Sequence, residues 1–152
     1  PAEGDIFGLA YATALHLKNL GLEKGDTVLV VGESGLSEEL ELTAGVASIG
    51  DDLASFVLDV NLTATDIMRA VMEQPVAAVV VGFDSRLCYV KIAYASSHLR
   101  YNPECLFVAT NRDMTYPTAA GILLPGATQL CARLKLEAVE KSKALRTSYP
   151  RR

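Results

Sequence analysis

The sequence predicts an α/β fold in which a mostly parallel β-sheet is flanked by helices. Two apolar runs, at 27–31 and 76–81, indicate strands that are covered on both faces, as in parallel sheets. Helical patterns alternate with such runs along the chain, which is typical of one sheet between helical layers. With 152 residues, half of them hydrophobic, the chain can bury a core of single-domain size.

The first half begins with a helix that Asp5 can cap and that Gly21 ends. The apolar face of this helix carries residues at helical spacing: Ile6, Leu9, Ala10, Ala14 and Leu17. A turn at 24–26 precedes the first buried strand. The predicted elements that follow are a helix over 36–42, a short strand over 46–49, a loop from 51 and a strand over 55–60.

The second half begins with Thr63 and Asp66, whose spacing matches a capping box at a helix start. Pro75 ends that helix, because proline cannot continue the backbone hydrogen bonding. The remaining predictions, in order, are a strand over 76–81, a helix over 86–99, a turn at 101–103, a strand over 106–109, a loop over 112–121, a short strand over 122–124 and a helix over 126–142.

Composition excludes several classes of function. The net charge of −4 argues against nucleic acid or an anionic membrane as a partner, and the apolar runs are too short to span a bilayer. Three cysteines without C-x-x-C spacing predict buried, reduced thiols and therefore a cytoplasmic compartment. Because the chain begins at Pro1 without a methionine, we expect a piece of a longer protein.

Two groups of polar residues carry weak signals for chemistry. The turn 32–35 lies between a strand and a helix, where backbone N–H groups can hold phosphate. The negative charge of Glu33 favours a structural turn instead, with Ser34 or Ser37 as the helix cap. His16 and His98 lie far apart, without the spacing of metal ligands, and predict no metal site.

The segment 111–117 is a stronger candidate for a binding site. Asn111, Arg112 and Asp113 follow a buried strand, at the edge where open α/β sheets bind ligands. Tyr116 and Pro117 add an aromatic face on a stiffened backbone. An ordinary turn rich in Asn and Asp, preceding a β-hairpin, is the alternative interpretation of the same residues.

Two motifs resemble those of one phosphatase family. The stretches VVVGFD (79–84) and CLFVATNRDMTYPTAAG (105–121) are similar to the cap domain of the 4-nitrophenylphosphatase, phosphoglycolate phosphatase and pyridoxal phosphate phosphatase group, within the haloacid dehalogenase superfamily. The resemblance extends from about residue 10 to 136. It implies a cap domain over 1–142, with 1–25 as the helix and turn leading from core to cap, and a divergent tail over 143–152.

The family resemblance also implies an activity that this chain does not complete. Members are magnesium-dependent phosphatases that hydrolyse small phosphomonoesters through an aspartyl-phosphate. Their catalytic core supplies an Asp-x-Asp pair and a Lys-Pro lysine, and this sequence contains neither. We therefore expect no catalytic residue and no Mg²⁺ ligand here, and an inactive chain in the absence of a core partner.

The resemblance assigns roles to particular residues. Asn111, Arg112, Asp113, Tyr116 and Pro117 match the loop with which the cap selects a small phosphorylated metabolite. Phe83 matches a region that forms cap-to-cap homodimers, and Asp84 is expected to end its strand and cap the next helix. The alternative is a free-standing α/β module that binds a small ligand or a protein without catalysis.

Overall fold

Four parallel strands form the central sheet, in the order β2–β1–β3–β4. The computed structural model describes residues 8–50, 63–111, 113–127, 131, 132 and 134. The strands are β1 Thr27–Val31, β2 Ala47–Ile49, β3 Ala78–Val81 and β4 Leu106–Ala109. The predicted fold class, a mostly parallel sheet flanked by helices, is confirmed.

The core has two layers, one on each face of the sheet, and helices cover both. The helices are α1 Leu9–Asn19, α2 Ser34–Glu39 with a π-helical continuation Leu40–Ala44, α3 Ala64–Glu73 and α4 Tyr89–Tyr101. Val28 and Val30 of β1 pack in the layer formed by α1, α2 and the π-helical segment. Leu29 and Val31 face the other layer, which contains residues of α4. This two-sided burial explains why β1 is apolar at successive positions.

Several local signals are confirmed. The N–H of Thr63 donates to the carboxylate of Asp66 (2.9 Å) and the N–H of Asp66 to the hydroxyl of Thr63 (3.2 Å), which is the predicted capping box. Gly21 has φ +89°, the left-handed conformation that follows many helix ends, and α1 stops just before it. Asp5 and the predicted strand 55–60 lie outside the described residues.

Other element boundaries differ from the predictions. The helix predicted over 36–42 is longer, because it begins at Ser34 and the π-helical turn extends it to Ala44. Residues 112–121 are not entirely a loop, since β5 Thr115–Pro117 pairs antiparallel with β6 Leu123–Pro125. Of the helix predicted over 126–142, residues 131, 132 and 134 are helical, and most of the remainder lies outside the described residues.

The three cysteines are reduced thiols, as predicted. Cys105 and Cys131 are buried, whereas Cys88 is half-buried. Cys88 does not lie within a helix, because it is the N-cap of α4. Among the described helices, none combines the length and hydropathy needed to cross a membrane.

Candidate functional site

The carboxyl end of the sheet brings together the loops that follow β1, β3 and β4. They are residues 32–33, 82–86 and 110–111, and the two outer loops flank the central one because β3 lies between β1 and β4. A Cβ atom on Gly82 would lie 3.0 Å from a methyl group of Leu36, so the central loop passes close to α2. Ligands of open α/β sheets bind at this edge.

Glu33 links the first of these loops to the second. Its backbone N–H donates to the carbonyl of Phe83 (3.1 Å), and its carboxylate accepts the N–H of Ser85 (2.7 Å). Hydrogen bonds from Ser85, through its side chain and its backbone, lower the pKa of Glu33. The prediction that Ser34 or Ser37 caps α2 is wrong, since Glu33 is the N-cap and its carboxylate bonds across to the neighbouring loop.

Asp84 forms a buried ion pair that its position in the sequence did not predict. Its Oδ2 lies 2.6 Å from Nζ of Lys91, and the side chains of both residues are at most 2% exposed. Its Oδ1 accepts the N–H of Arg86 (2.8 Å). The prediction that Asp84 caps the next helix is wrong, because α4 begins three residues beyond that hydrogen bond, at Tyr89.

A signal for this pair is present in the sequence. Lys91 shares the buried face of α4 with Ala95, His98 and Leu99, which follow it at helical spacing. A lysine on such a face requires a counterion, because an unpaired charge is costly to bury. Asp84 is the nearest preceding acidic residue, and it follows directly from the end of a buried strand.

The β5–β6 hairpin exposes both polar and apolar side chains to solvent. All six residues of its two strands are exposed, with Tyr116 opposite Leu124. At the hairpin turn, Thr118 accepts the N–H of Ile122 through its hydroxyl (3.1 Å). The segment therefore contains the β-hairpin of the alternative interpretation, and the candidate residues Tyr116 and Pro117 lie on its first strand.

The structure brings together two residues for which the sequence predicted different roles. The rings of Phe83 and Tyr116 stack, with centroids 5.0 Å apart and planes inclined by 27°. Phe83 lies in the loop after β3, and Tyr116 lies on the hairpin. The residue expected at a dimer interface therefore contacts the residue expected to select substrate.

The remaining candidate residues are divided between the sheet edge and the hairpin base. Asn111 is half-buried, and its side-chain oxygen accepts no hydrogen bond from the part of the chain that the structure describes. Asp113 is exposed at the start of the hairpin. Arg112 lies outside the described residues, so its predicted role stays a prediction.

A cavity of about 170 Å³ separates the loop after β3 from the end of the hairpin. Its lining combines small and apolar groups with one carboxylate: Gly82, Phe83, Asp84, Leu87, Pro125, Gly126 and Ala127. Within the described ranges, no three residues of the His, Cys, Asp or Glu type cluster as metal ligands would. The carboxylates of Glu33 and Asp84 are instead engaged by Ser85 and Lys91.

The sequence is similar to phosphatases from several organisms, although no family model matches it. It is 35% identical to glycerol-3-phosphate phosphatase of Gallus gallus over 153 residues, covering 100% of this chain and 47% of that protein. It is 41% identical to chloroplastic phosphoglycolate phosphatase 1A of Arabidopsis thaliana over 113 residues, covering 73% of this chain and 30% of that protein. It is 34% identical to 4-nitrophenylphosphatase of Schizosaccharomyces pombe over 146 residues, covering 95% of this chain and 47% of that protein. Over this shared region, the chain is a homologue of phosphatases of the haloacid dehalogenase group.

Solved structures of this phosphatase group agree with the assignment. A glycerol phosphate phosphatase from Mycobacterium tuberculosis, crystallised with magnesium, is 27% identical with a TM-score of 0.62. The match covers 86% of this chain and 32% of that one. Like the three sequence relatives, it is more than twice as long as the region it shares with this chain.

Proposed function

We propose that the chain is the substrate-selecting cap of a phosphatase that hydrolyses small phosphomonoesters. The observation that carries the proposal is the exposed hairpin, which presents Tyr116 and Pro117 beside the carboxyl edge of the sheet. A cap selects substrate with side chains that contact it, and exposed aromatic groups on a structured hairpin suit that task. On this proposal, the cap domain occupies residues 1–142 and 143–152 form a divergent tail.

The arrangement of acidic groups supports a division of labour between this chain and a catalytic core. Phosphatases of this kind require a carboxylate nucleophile and, by our inference, Mg²⁺. The described residues do not fit magnesium, because their acidic side chains form no cluster and the most buried one is neutralised by Lys91. We infer that nucleophile and metal ligands belong to the core, and we derive no catalytic step for this chain.

The test compares the complete protein with this chain. Both are assayed with magnesium against glycerol 3-phosphate, phosphoglycolate, pyridoxal phosphate and 4-nitrophenyl phosphate. We expect hydrolysis by the complete protein and none by the 152-residue chain. Turnover by the chain that survives repurification and is sensitive to chelation would contradict the cap assignment, and an inactive complete protein would contradict the phosphatase assignment.

One observation favours a second candidate function, a binding module without catalysis. The cavity beside Phe83 and Leu87 could hold a small ligand without any contribution from a core. Binding of a phosphorylated metabolite to the isolated chain, measured by calorimetry and lost in Leu87→Trp, would support this function. The cap proposal instead expects measurable binding only in the complete protein.

Two further properties form part of the proposal. The hairpin region exposes large apolar side chains, which is a property of interaction surfaces and supports a homodimer formed through the cap. The exposed side chains are Met114, Tyr116, Ile122, Leu123 and Leu124. The three reduced thiols support a reducing compartment, for which we propose the cytoplasm.

A further inference from the structure

Glu33 anchors the loop 82–86 at Phe83 and at Ser85. Its backbone N–H donates to the carbonyl of Phe83, at 3.1 Å. Its carboxylate accepts the N–H of Ser85, at 2.7 Å. Because a single residue from the β1 loop makes both bonds, the backbone of Phe83 is fixed relative to the sheet.

The buried ion pair anchors the same loop to α4. Asp84 accepts the N–H of Arg86 and pairs with Lys91, whose side chain is 1% exposed. A charge-assisted hydrogen bond of 2.6 Å in a buried setting restrains both partners strongly. The loop that carries Phe83 is therefore held by two elements, the turn after β1 and helix α4.

The hairpin is less well anchored through its own strands. Every residue of β5 and β6 is exposed, so burial contributes little to its orientation. The ring of Phe83 contacts this hairpin by stacking on Tyr116. Offset stacking of two aromatic rings restricts their relative position, since the favourable arrangements are few.

We propose that Phe83 is a positioning residue for substrate selection: the loop 82–86, held by Glu33 and by the Asp84–Lys91 pair, presents the Phe83 ring to Tyr116 and thereby fixes the direction in which Tyr116 points. This inference rests on the proposed function, because Tyr116 is taken to contact substrate. It differs from the dimer role that the family resemblance implies for Phe83, since the stack forms within one chain.

The kinetic test uses Phe83→Leu in the complete protein, which removes the ring and keeps an apolar side chain. The readout is the ratio of kcat/KM for glycerol 3-phosphate to that for 4-nitrophenyl phosphate. We expect this ratio to change about two- to tenfold, in the same direction as in Tyr116→Ala. Phe83→Tyr keeps an aromatic ring for the stack and should have the same ratio as wild type. The matched control is Tyr89→Leu, which removes a more exposed ring from the start of α4 and should leave the ratio unchanged.

A double variant separates positioning from an independent effect. If Phe83 acts through Tyr116, then Phe83→Leu combined with Tyr116→Ala has the ratio of Tyr116→Ala alone. Independent, multiplicative effects would overturn the proposal, as would an equal loss of activity toward both substrates. The oligomeric state of each variant is measured by light scattering. A change of ratio that occurs only together with dissociation would assign Phe83 to an interface and also overturn the proposal.

A spectroscopic measurement tests the contact without relying on activity. In the complete protein with labelled aromatic rings, we expect nuclear Overhauser effects between the ring protons of Phe83 and Tyr116. The Tyr116 resonances are identified as the tyrosine signals that disappear in Tyr116→Phe. Their absence in a folded protein would overturn the positioning role even if hydrolysis is observed. Inactivity of the wild-type protein toward every probe would overturn the proposed function, and the ring contact is then judged by these effects alone.

Discussion

Nζ of Lys91 lies 2.6 Å from the Asp84 carboxylate, and both side chains are almost completely buried. The pair joins α4 to the loop after β3. Removing one partner would leave the other charge buried without compensation, which is far more costly than losing an exposed pair.

We therefore expect Lys91→Met to lower the free energy of unfolding by about 3–5 kcal/mol, measured by urea denaturation. Combining it with Asp84→Asn removes the uncompensated charge and should recover part of this loss. The matched control is Arg69→Met, because the Arg69–Asp66 pair spans 3.8 Å and is exposed. That control should cost less than about 1 kcal/mol, and equal losses at both sites would contradict the importance of burial.

Gly126, at the end of the hairpin, allows a close backbone approach. A Cβ atom there would lie 2.2 Å from the carbonyl oxygen of Asp113, and Gly126 donates its N–H to Met114 (2.9 Å). We expect Gly126→Ala to displace the hairpin base and to destabilise the protein by about 1–3 kcal/mol in urea denaturation.

Gly35 provides the control for this substitution. It lies in α2, and a Cβ atom there would have no neighbour within 4 Å. Gly35→Ala should be neutral or stabilising by up to about 1 kcal/mol, because alanine favours helix. If Gly126→Ala were equally well tolerated, the close approach to Asp113 would not restrict that position.

The parts of the fold that were predicted depend on local sequence. Burial on both faces makes residues 28–31 of β1 and the whole of β3 apolar. The Thr63–Asp66 capping box involves residues only three apart. The helix start at Tyr89 was missed because Asp84 pairs with Lys91 instead of capping the helix.

The sequence singles out the candidate residues one by one, but it does not predict how they are arranged in space. The strand-end position of Asn111 and the aromatic character of Tyr116 are evident in the sequence. The contact of Tyr116 with Phe83 depends on how the hairpin folds back, and that of Glu33 with Ser85 joins residues 52 apart. No spacing rule connects residues so distant, because such contacts follow from the order of strands in the sheet.

His98 should make the stability of the protein depend on pH. It is 0% exposed, and neither ring nitrogen has a hydrogen-bond partner among the described residues. Burial lowers the pKa of His98 from 6.5 to about 4. Between these values the unfolded chain binds a proton that the folded chain does not, so stability is complete above pH 6.5 and declines as the pH falls toward 4, by about 3 kcal/mol in total.

The measurement for His98 is the free energy of unfolding from pH 7.5 to 4. Between pH 6.5 and 4, the free energy of unfolding should fall by about 3 kcal/mol less in His98→Leu than in wild type. Acidic groups such as Glu33 contribute equally to both proteins, so the difference reports His98. His16→Gln, at an exposed position, should follow the wild-type curve. Identical slopes for His98→Leu and wild type would show that His98 does not titrate differently in the two states.

Tyr116 is expected to affect substrate preference more than stability. In the complete protein, Tyr116→Ala removes an exposed ring that stacks on Phe83, so the free energy of unfolding should fall by only about 1 kcal/mol. If the ring contacts the substrate, the ratio of kcat/KM between two phosphomonoesters should change about tenfold. Met114→Ala, which shortens a neighbouring exposed side chain, is the control and should leave the ratio unchanged. An equal loss toward all substrates would indicate a structural hairpin, because a selecting side chain must distinguish between the groups that it contacts.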